Sequence, residues 1–350
     1  MTKGVVGLVA VALLGASCAQ LAGSGFSGKP ADLYTALPNQ ADVRSLLGDD
    51  NWWVSPPSFG VLPLDAATTP ATVRFTISQS YVHMGTAEQL FARYTVYDKV
   101  ASATSVMADY QTAYGTSPSS PKVGDQVLYY GLQGSGGAPF ASRTFVRVGQ
   151  IVVQLAWTKR DVQATLDQLG KNATRFTARL KDPTKLRAKS GAVDPSLLPP
   201  PGQDITLLGS TQLPVESFVI MILAALPDPI LVLMRRAGIS QFAYADYALN
   251  NDTHMEVQLG LLSFPTAADA TDWASTFSPA NPDSNGIAGA YLPVGGTPAA
   301  GVYHYVFSSG SYGALLVCKS SIDGEAASRE CEDPLKSTAL AWKLSLGGLR

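Results

Sequence analysis

Ala36-Leu37-Pro38-Asn39, with Val43 and Gly48 after it, returns later in the chain as Ala225-Leu226-Pro227-Asp228, with Val232 and Gly238 after it. In both copies Asn or Asp stands beside a proline, a residue tolerated at the first turn of a helix and not inside one. Asn39 and Asp228 are therefore suited to cap short helices. A motif that recurs at nearly the same internal spacing is the mark of a duplicated unit.

Working outward, the two halves keep the same order of local signals. Val73 to Met84 alternates in strand fashion, turns at Gly85-Thr86-Ala87-Glu88, and returns as Gln89 to Tyr97. Phe242 to Leu249 alternates likewise, turns at Asn250-Asn251-Asp252, and returns as Met255 to Phe264. Period-two alternation between turn residues reads as a hairpin. A helix follows in each half, with Val100, Ala103, Met107, Tyr110 and Tyr114 on one face, and Ala270, Trp273, Ala274 and Phe277 on the other half's counterpart. Three strands come next: Gln126 to Tyr130, Ser142 to Val148 and Ile151 to Trp157, then Ala288 to Leu292, Val302 to Phe307 and Ala314 to Cys318. Each half closes on an amphipathic helix, one through Val162, Leu166, Leu169, Ala173, Phe176 and Leu180. The other runs through Cys331, Leu335, Thr338, Trp342 and Leu346.

The expected fold is thus α+β, two tandem domains of αββαβββα order, each with a mostly antiparallel sheet packed with helices. The expected boundaries are a signal peptide over 1–17, a flexible tether over 18–30, a first domain over 31–183, a Pro-rich linker over 184–205 and a second domain over 206–350. Asp49 to Thr72 reads as an insertion in the first half. Phe218 to Met234 is the most hydrophobic internal run, but Pro227-Asp228-Pro229 interrupts it. Two prolines flanking a charge would cost several kcal/mol in a bilayer helix, so two short buried helices are expected there. The alternative is an apolar groove for a lipid or a protein.

At the N-terminus, Lys3 precedes an apolar core from Gly4 to Leu14, too short to span a bilayer permanently. Leu14-Gly15-Ala16-Ser17-Cys18 then resembles the lipobox of bacterial lipoproteins, with the leucine one residue further from the cysteine than that pattern has it. The resemblance implies lipidation at Cys18 and a partner in the membrane, reached through N-terminal acyl chains. The other reading is an ordinary secretory signal cut near Ala16 or Ala19. Either places the mature chain outside the cytoplasm, on the cell membrane or, where the organism has one, the outer membrane.

With Cys18 committed to lipid, two of the three cysteines remain. Cys318 ends an expected core strand and Cys331 opens the last helix, so in an oxidising compartment they should bridge.

The opening helix from Ala36 to Leu47, the hairpin strand ending in an aromatic at Tyr97 and at Phe264, and the Ala-rich helix behind it resemble actinobacterial cell-envelope lipoproteins. They are also similar to the extracellular sensor domains of certain bacterial Ser/Thr kinases. The resemblance covers most of each half on short apolar motifs. It implies compact α+β domains with a ligand-sensing or envelope-associated binding role rather than catalysis. Such domains often carry two disulfides, and the first half here has none.

Composition narrows the function classes. Of 350 residues 46% are hydrophobic and only 15% charged, with 25 Lys plus Arg against 27 Asp plus Glu and a net charge of −2. That charge balance leaves no electrostatic footprint for nucleic acid. The three histidines are His83, His254 and His304. His83-Met84 and His254-Met255 pair an imidazole with a thioether, a soft donor set able to take copper, but two imperfectly matched dipeptides do not make a site and no metal is expected. There is no HExxH and no GxSxG elbow. Gly134-Ser135-Gly136-Gly137 lacks the lysine and helix of a phosphate cradle. Glu330, Glu332 and Asp333 suit the start of the last helix, and Asp49-Asp50 a solvated turn.

Trp52 and Trp53 are the speculative ligand-binding residues. Two adjacent tryptophans before Ser55-Pro56-Pro57 cannot both enter one core, so one is available to face solvent or stack on a sugar or apolar group. Packing against the neighbouring half is the competing role. The expected function is therefore an extracytoplasmic lipid-anchored binding or sensor-like protein, with no cofactor and no catalytic residue assigned. Its ligand would be an envelope glycolipid, a peptidoglycan fragment or a partner protein. An envelope hydrolase using carboxylates and a purely structural envelope lipoprotein are the alternatives.

Overall fold

The computed structural model describes residues 25–59, 72–86, 88–132, 140–188, 193–200, 204–221, 227–249, 252–277, 282–294, 297–320, 327 and 329–349. The leader, Cys18, most of the tether, the Gly134–Gly137 loop and most of the segment between Cys318 and Cys331 lie outside these.

The first half contains α1 (Pro30–Tyr34), α2 (Gln40–Leu47), β1 (Trp52–Val54), β2 (Ser58–Phe59), β3 (Val73–His83), β4 (Gln89–Tyr97), α3 (Val100–Tyr114), β5 (Gln126–Leu132), β6 (Phe140–Val148), β7 (Ile151–Lys159) and α4 (Leu166–Thr177). The second contains β8 (Ile205–Pro214), α5 (Val215–Met221), α6 (Pro227–Arg236), β9 (Gln241–Leu249), β10 (Asp252–Ser263), α7 (Ala267–Phe277), β11 (Ile287–Val294), β12 (Thr297–Ser309), β13 (Tyr312–Ser320) and α8 (Glu332–Gly347).

Each half is one antiparallel sheet packed with helices, and the strand orders match. The first sheet runs β1-β3-β4-β7-β6-β5 with β2 also on β3, and the second runs β8-β9-β10-β13-β12-β11. The hairpin, helix, three strands and closing helix read from the sequence are all present in both halves. So are the two short helices within the apolar run, where no described helix is long and apolar enough to cross a membrane.

Local chemistry explains the helix starts. Asn39 accepts the Asp42 N–H at 2.9 Å while Asp42 accepts the Asn39 N–H at 3.1 Å, a reciprocal cap for α2. Thr165 and Gln168 do the same for α4, at 3.2 and 3.0 Å.

The outer edge of each sheet is supplied from a different place in the chain. In the first half β1 and β2 come from the stretch read as an insertion, after the opening helices. In the second, β8 comes before them, directly after the stretch read as linker. That linker is not loose where it is described. Val193 and Leu198 are buried in the second half's core, and the Trp342 indole donates to the Leu197 carbonyl at 2.8 Å. The tether's last residues are likewise seated, with Phe26 buried and its carbonyl accepting from Gln150 at 3.0 Å.

The two halves share one hydrophobic core. It joins the α4 face of the first sheet, through Tyr94, Val153 and Trp157, to the α7 face of the second, through Tyr244, Leu262 and Leu315. Phe59, fully buried, is its pin. A side-chain carbon on Gly209 of β8 would sit 2.7 Å from the Phe59 ring, so only glycine lets the strand pass there. The Phe59 N–H donates to Asp246 at 2.5 Å, and the Tyr244 hydroxyl donates to the Pro57 carbonyl at 2.7 Å. Burial, and then the nearby Glu256 carboxylate, push the Asp246 carboxyl well above its ordinary range.

The α8 face of the second sheet has its own core, which includes Leu316, Cys318, Leu335 and Trp342. Cys318 and Cys331 form a disulfide with Cα atoms 6.5 Å apart. The α3 face of the first sheet has a smaller core around Tyr97, Met107 and Phe145.

Candidate functional site

One end of the first sheet builds a cleft. Cross-strand pairing sets Leu90 between Tyr81 and Trp157 in one row and, in the next row of the same sheet face, Trp52 opposite His83. Glu88, next to Gln89, whose partner is Thr158, continues the row beside Lys159. Helix α4 covers the β7 side with Gln168, Lys171 and Asn172, and the end of α2 covers the other with Leu46 and Leu47. The cleft has a volume of about 320 Å³.

His83 anchors its acidic side. Its Nδ1 accepts the N–H groups of Gly85 at 3.2 Å and Thr86 at 3.0 Å. A ring nitrogen accepting two backbone N–H groups bears no proton, so the proton is on Nε2 and is donated to Asp49 at 3.0 Å. Both nitrogens are thereby engaged, and the imidazole is a positioning group for Asp49. The His83 hydrogen bond, with the Asn51 N–H, holds the Asp49 carboxyl below its ordinary range.

The opposite wall carries Trp157, Lys159, Lys171 and Asn172. Trp157 and Asn172 are only 4% and 3% exposed. Their Nε1 and Nδ2 atoms have no hydrogen-bond acceptor among the described residues. The Lys159 ammonium lies 4.7 Å from the Trp157 ring centroid. Lys171 reaches Asp167 at 2.7 Å in an exposed pair of little energetic weight.

Trp52 lies in this cleft, though not as an exposed platform. It is 3% exposed and meets the His83 ring edge-on, with centroids 5.3 Å apart. Trp53 is half-buried and packs against the shared core, of which Trp52 is itself a buried member. The two adjacent tryptophans thus pack on one core, with Trp52 also lining the cleft. Residues not singled out beforehand complete the site, since Trp157, Lys159 and Asn172 had read as strand and helix positions without chemistry. Of the doubled His-Met motif only the first copy has both side chains among the described residues. Met84 is exposed, the His254 side chain is outside the described residues, and no group of three metal-ligating side chains forms among the described residues. His304 is buried, which pushes its imidazole down to about 4. Glu332 and Asp333 lie in the first turn of α8.

No family model matches the chain, and no curated protein matches it. Among solved structures it is similar to the extracellular domain of PknH from Mycobacterium tuberculosis, at 11% identity and a TM-score of 0.35. That match covers 44% of this chain and 97% of the other.

Proposed function

We propose that this protein is an extracytoplasmic binding protein, held at the membrane by lipid on Cys18, that presents the Trp52–Trp157 cleft to a small ligand. The observation that carries the reading is the cleft itself, about 320 Å³ and lined by Asp49, Trp52, Glu88, Lys159 and Lys171. The lipobox-like Leu14–Cys18 stretch supports the anchor. The Cys318–Cys331 bridge supports an oxidising compartment. Binding is favoured over carboxylate-driven hydrolysis because a general acid needs a carboxyl held protonated, whereas Asp49 is pushed the opposite way.

The test expresses the chain in a lipoprotein-processing bacterium supplied with an alkynyl fatty acid. The wild-type chain should take up label and partition into detergent, and Cys18→Ser should do neither. Label retained by the variant, or absent from both, rejects the anchor. Native mass spectrometry of the same extract should show a small-molecule adduct lost on washing. A bare chain that responds to no class of small molecule would leave only a structural envelope role.

A further inference from the structure

Two carboxyls are buried at the seam between the halves. Asp246 on β9 and Glu256 on β10 are 0% and 2% exposed. Asp246 stands opposite Gln258, which follows Glu256 by two residues, so both carboxyls lie on the sheet face that meets the first half. Glu256 accepts Gln258 Nε2 at 3.1 Å and reaches the ammonium of Lys319, its partner on β13, at 3.6 Å. Asp246 accepts the Phe59 N–H of β2 on Oδ2. Its Oδ1 has no hydrogen-bond donor among the described residues, yet its side chain is in hydrogen-bond contact with Glu256. Two carboxyl groups meet that closely only with a proton between them.

The proton belongs on Asp246 and the charge on Glu256, where Lys319 answers it. Burial first, and then Glu256, disfavours ionisation of Asp246. The other titratable groups facing the pair supply no second cation. Tyr244 on β9 donates its hydroxyl to the Pro57 carbonyl, and burial pushes the Tyr34 phenol on α1 up to about 12. His304, further along the Asp246 row, is pushed down to about 4 by burial and carries no charge at neutral pH. Loss of the proton therefore sets two adjacent carboxylates against one ammonium in a site closed to water. The cover on the first-half side is β2, a strand of two residues, whose Phe59 ring fills the space over Gly209, directly opposite Asp246. Lifting β2 admits water to Asp246 and relieves the repulsion, while β8 to β13 keep their pairing.

We infer that Asp246 and Glu256 share one proton and form a pH-sensitive latch between the halves. With the proton in place β2 stays seated on β9, and its loss to solvent favours a seam open at Phe59. The device needs neither the anchor nor a ligand. A water-exposed Asp246 ionises near its ordinary 3.8 and the closed one only above it. Opening thus becomes easier as pH rises between those two values and levels off beyond the upper one.

Hydrogen exchange of the full chain in detergent tests it, read by mass spectrometry on the peptide that carries Ser58 and Phe59. Corrected for the intrinsic pH dependence of exchange, protection there should fall at least about tenfold between pH 4 and pH 7, a factor of ten for each unit by which closure raises the carboxyl. Asp246→Asn should stay flat, since the introduced amide donates to Glu256 where the proton was and still accepts from Phe59. Its infrared spectrum should also lack a protonated-carboxyl band that the wild type keeps at pH 6. His304 is present in both proteins, so its titration cancels. A flat wild-type profile, an equal slope in Asp246→Asn, or no carboxyl band lost in that variant overturns the latch. So does a fall in protection shared by β2, β10 and β13, which is unfolding of the chain and not opening of a seam.

Discussion

The last strand and last helix of the two halves can be laid over one another residue by residue. Leu169, Ala173, Phe176 and Leu180 on or just after α4 correspond to Leu335, Ala339, Trp342 and Leu346 on α8. In the sheets, Trp157 pairs with Leu90 as Cys318 pairs with Val257. Trp157 and the α4 cap Thr165 thus occupy the places of Cys318 and Cys331. Where the second half staples its last strand to its last helix with a disulfide, the first half opens a cleft. The two halves keep this packing and differ here, as they do in where their edge strands come from.

The largest expected effect tests whether the halves are energetically one body. Phe59→Ala should cost about 3–5 kcal/mol, the usual range for emptying a buried aromatic site. It should lower hydrogen-exchange protection in both sheets together. Unchanged protection in β9 to β13 would mean that the halves are independent units in contact.

Next comes the staple. Replacing Cys318 and Cys331 together by alanine should cost about 3 kcal/mol, the chain-entropy value for a short loop. The bridged residues are 13 apart in sequence. Urea unfolding measures the loss, and no loss would show that the corresponding place is closed by packing alone.

A smaller effect lies at the junction. The folded Asp246 carboxyl titrates above its ordinary value of 3.8. As pH rises through that value the unfolded chain ionises while the folded one keeps its proton, so this residue makes stability fall with rising pH. Asp246→Asn keeps an acceptor for the Phe59 N–H and cannot ionise. Its stability relative to wild type should rise between pH 4 and pH 7 in urea unfolding. Parallel curves for the two proteins would reject the buried neutral acid.

The smallest change is Trp157→Phe, which removes an unmet N–H and retains a ring. In urea unfolding, stability should move by less than about 1 kcal/mol, because the gain from losing an unmet donor offsets the smaller ring's lost packing. A large loss of stability would assign that indole to the frame rather than to the cleft.

Much of this frame was legible in the chain. Val73 to Met84 and Gln89 to Tyr97 read as the hairpin they form, because strand alternation is a local pattern. Asn39 read as a helix cap because a cap is satisfied within one turn. The Cys318–Cys331 pairing followed from a count of cysteines and from the elements that carry them. The cleft was only half legible. Trp52 drew notice as part of an unusual dipeptide, yet its role depends on His83 and Trp157, which reach it through sheet pairing. Strand β8 was missed because Ile205 to Pro214 has an irregular burial pattern, with a register shift between Leu207 and Gly209.

What the sequence determined by itself is the set of elements, their order and their use twice, since periodicity, capping and turn chemistry act over a few residues. Only the tertiary structure decided which faces meet. The bond from Phe59 to Asp246 joins residues 187 apart, and no local pattern in either stretch announces the other. The same holds for the cleft, whose carboxylates and donors come from four separate segments. Burial of apolar surface is non-directional, so it drives the halves together without naming their contacts, and shape and hydrogen-bond matching along the whole chain select them.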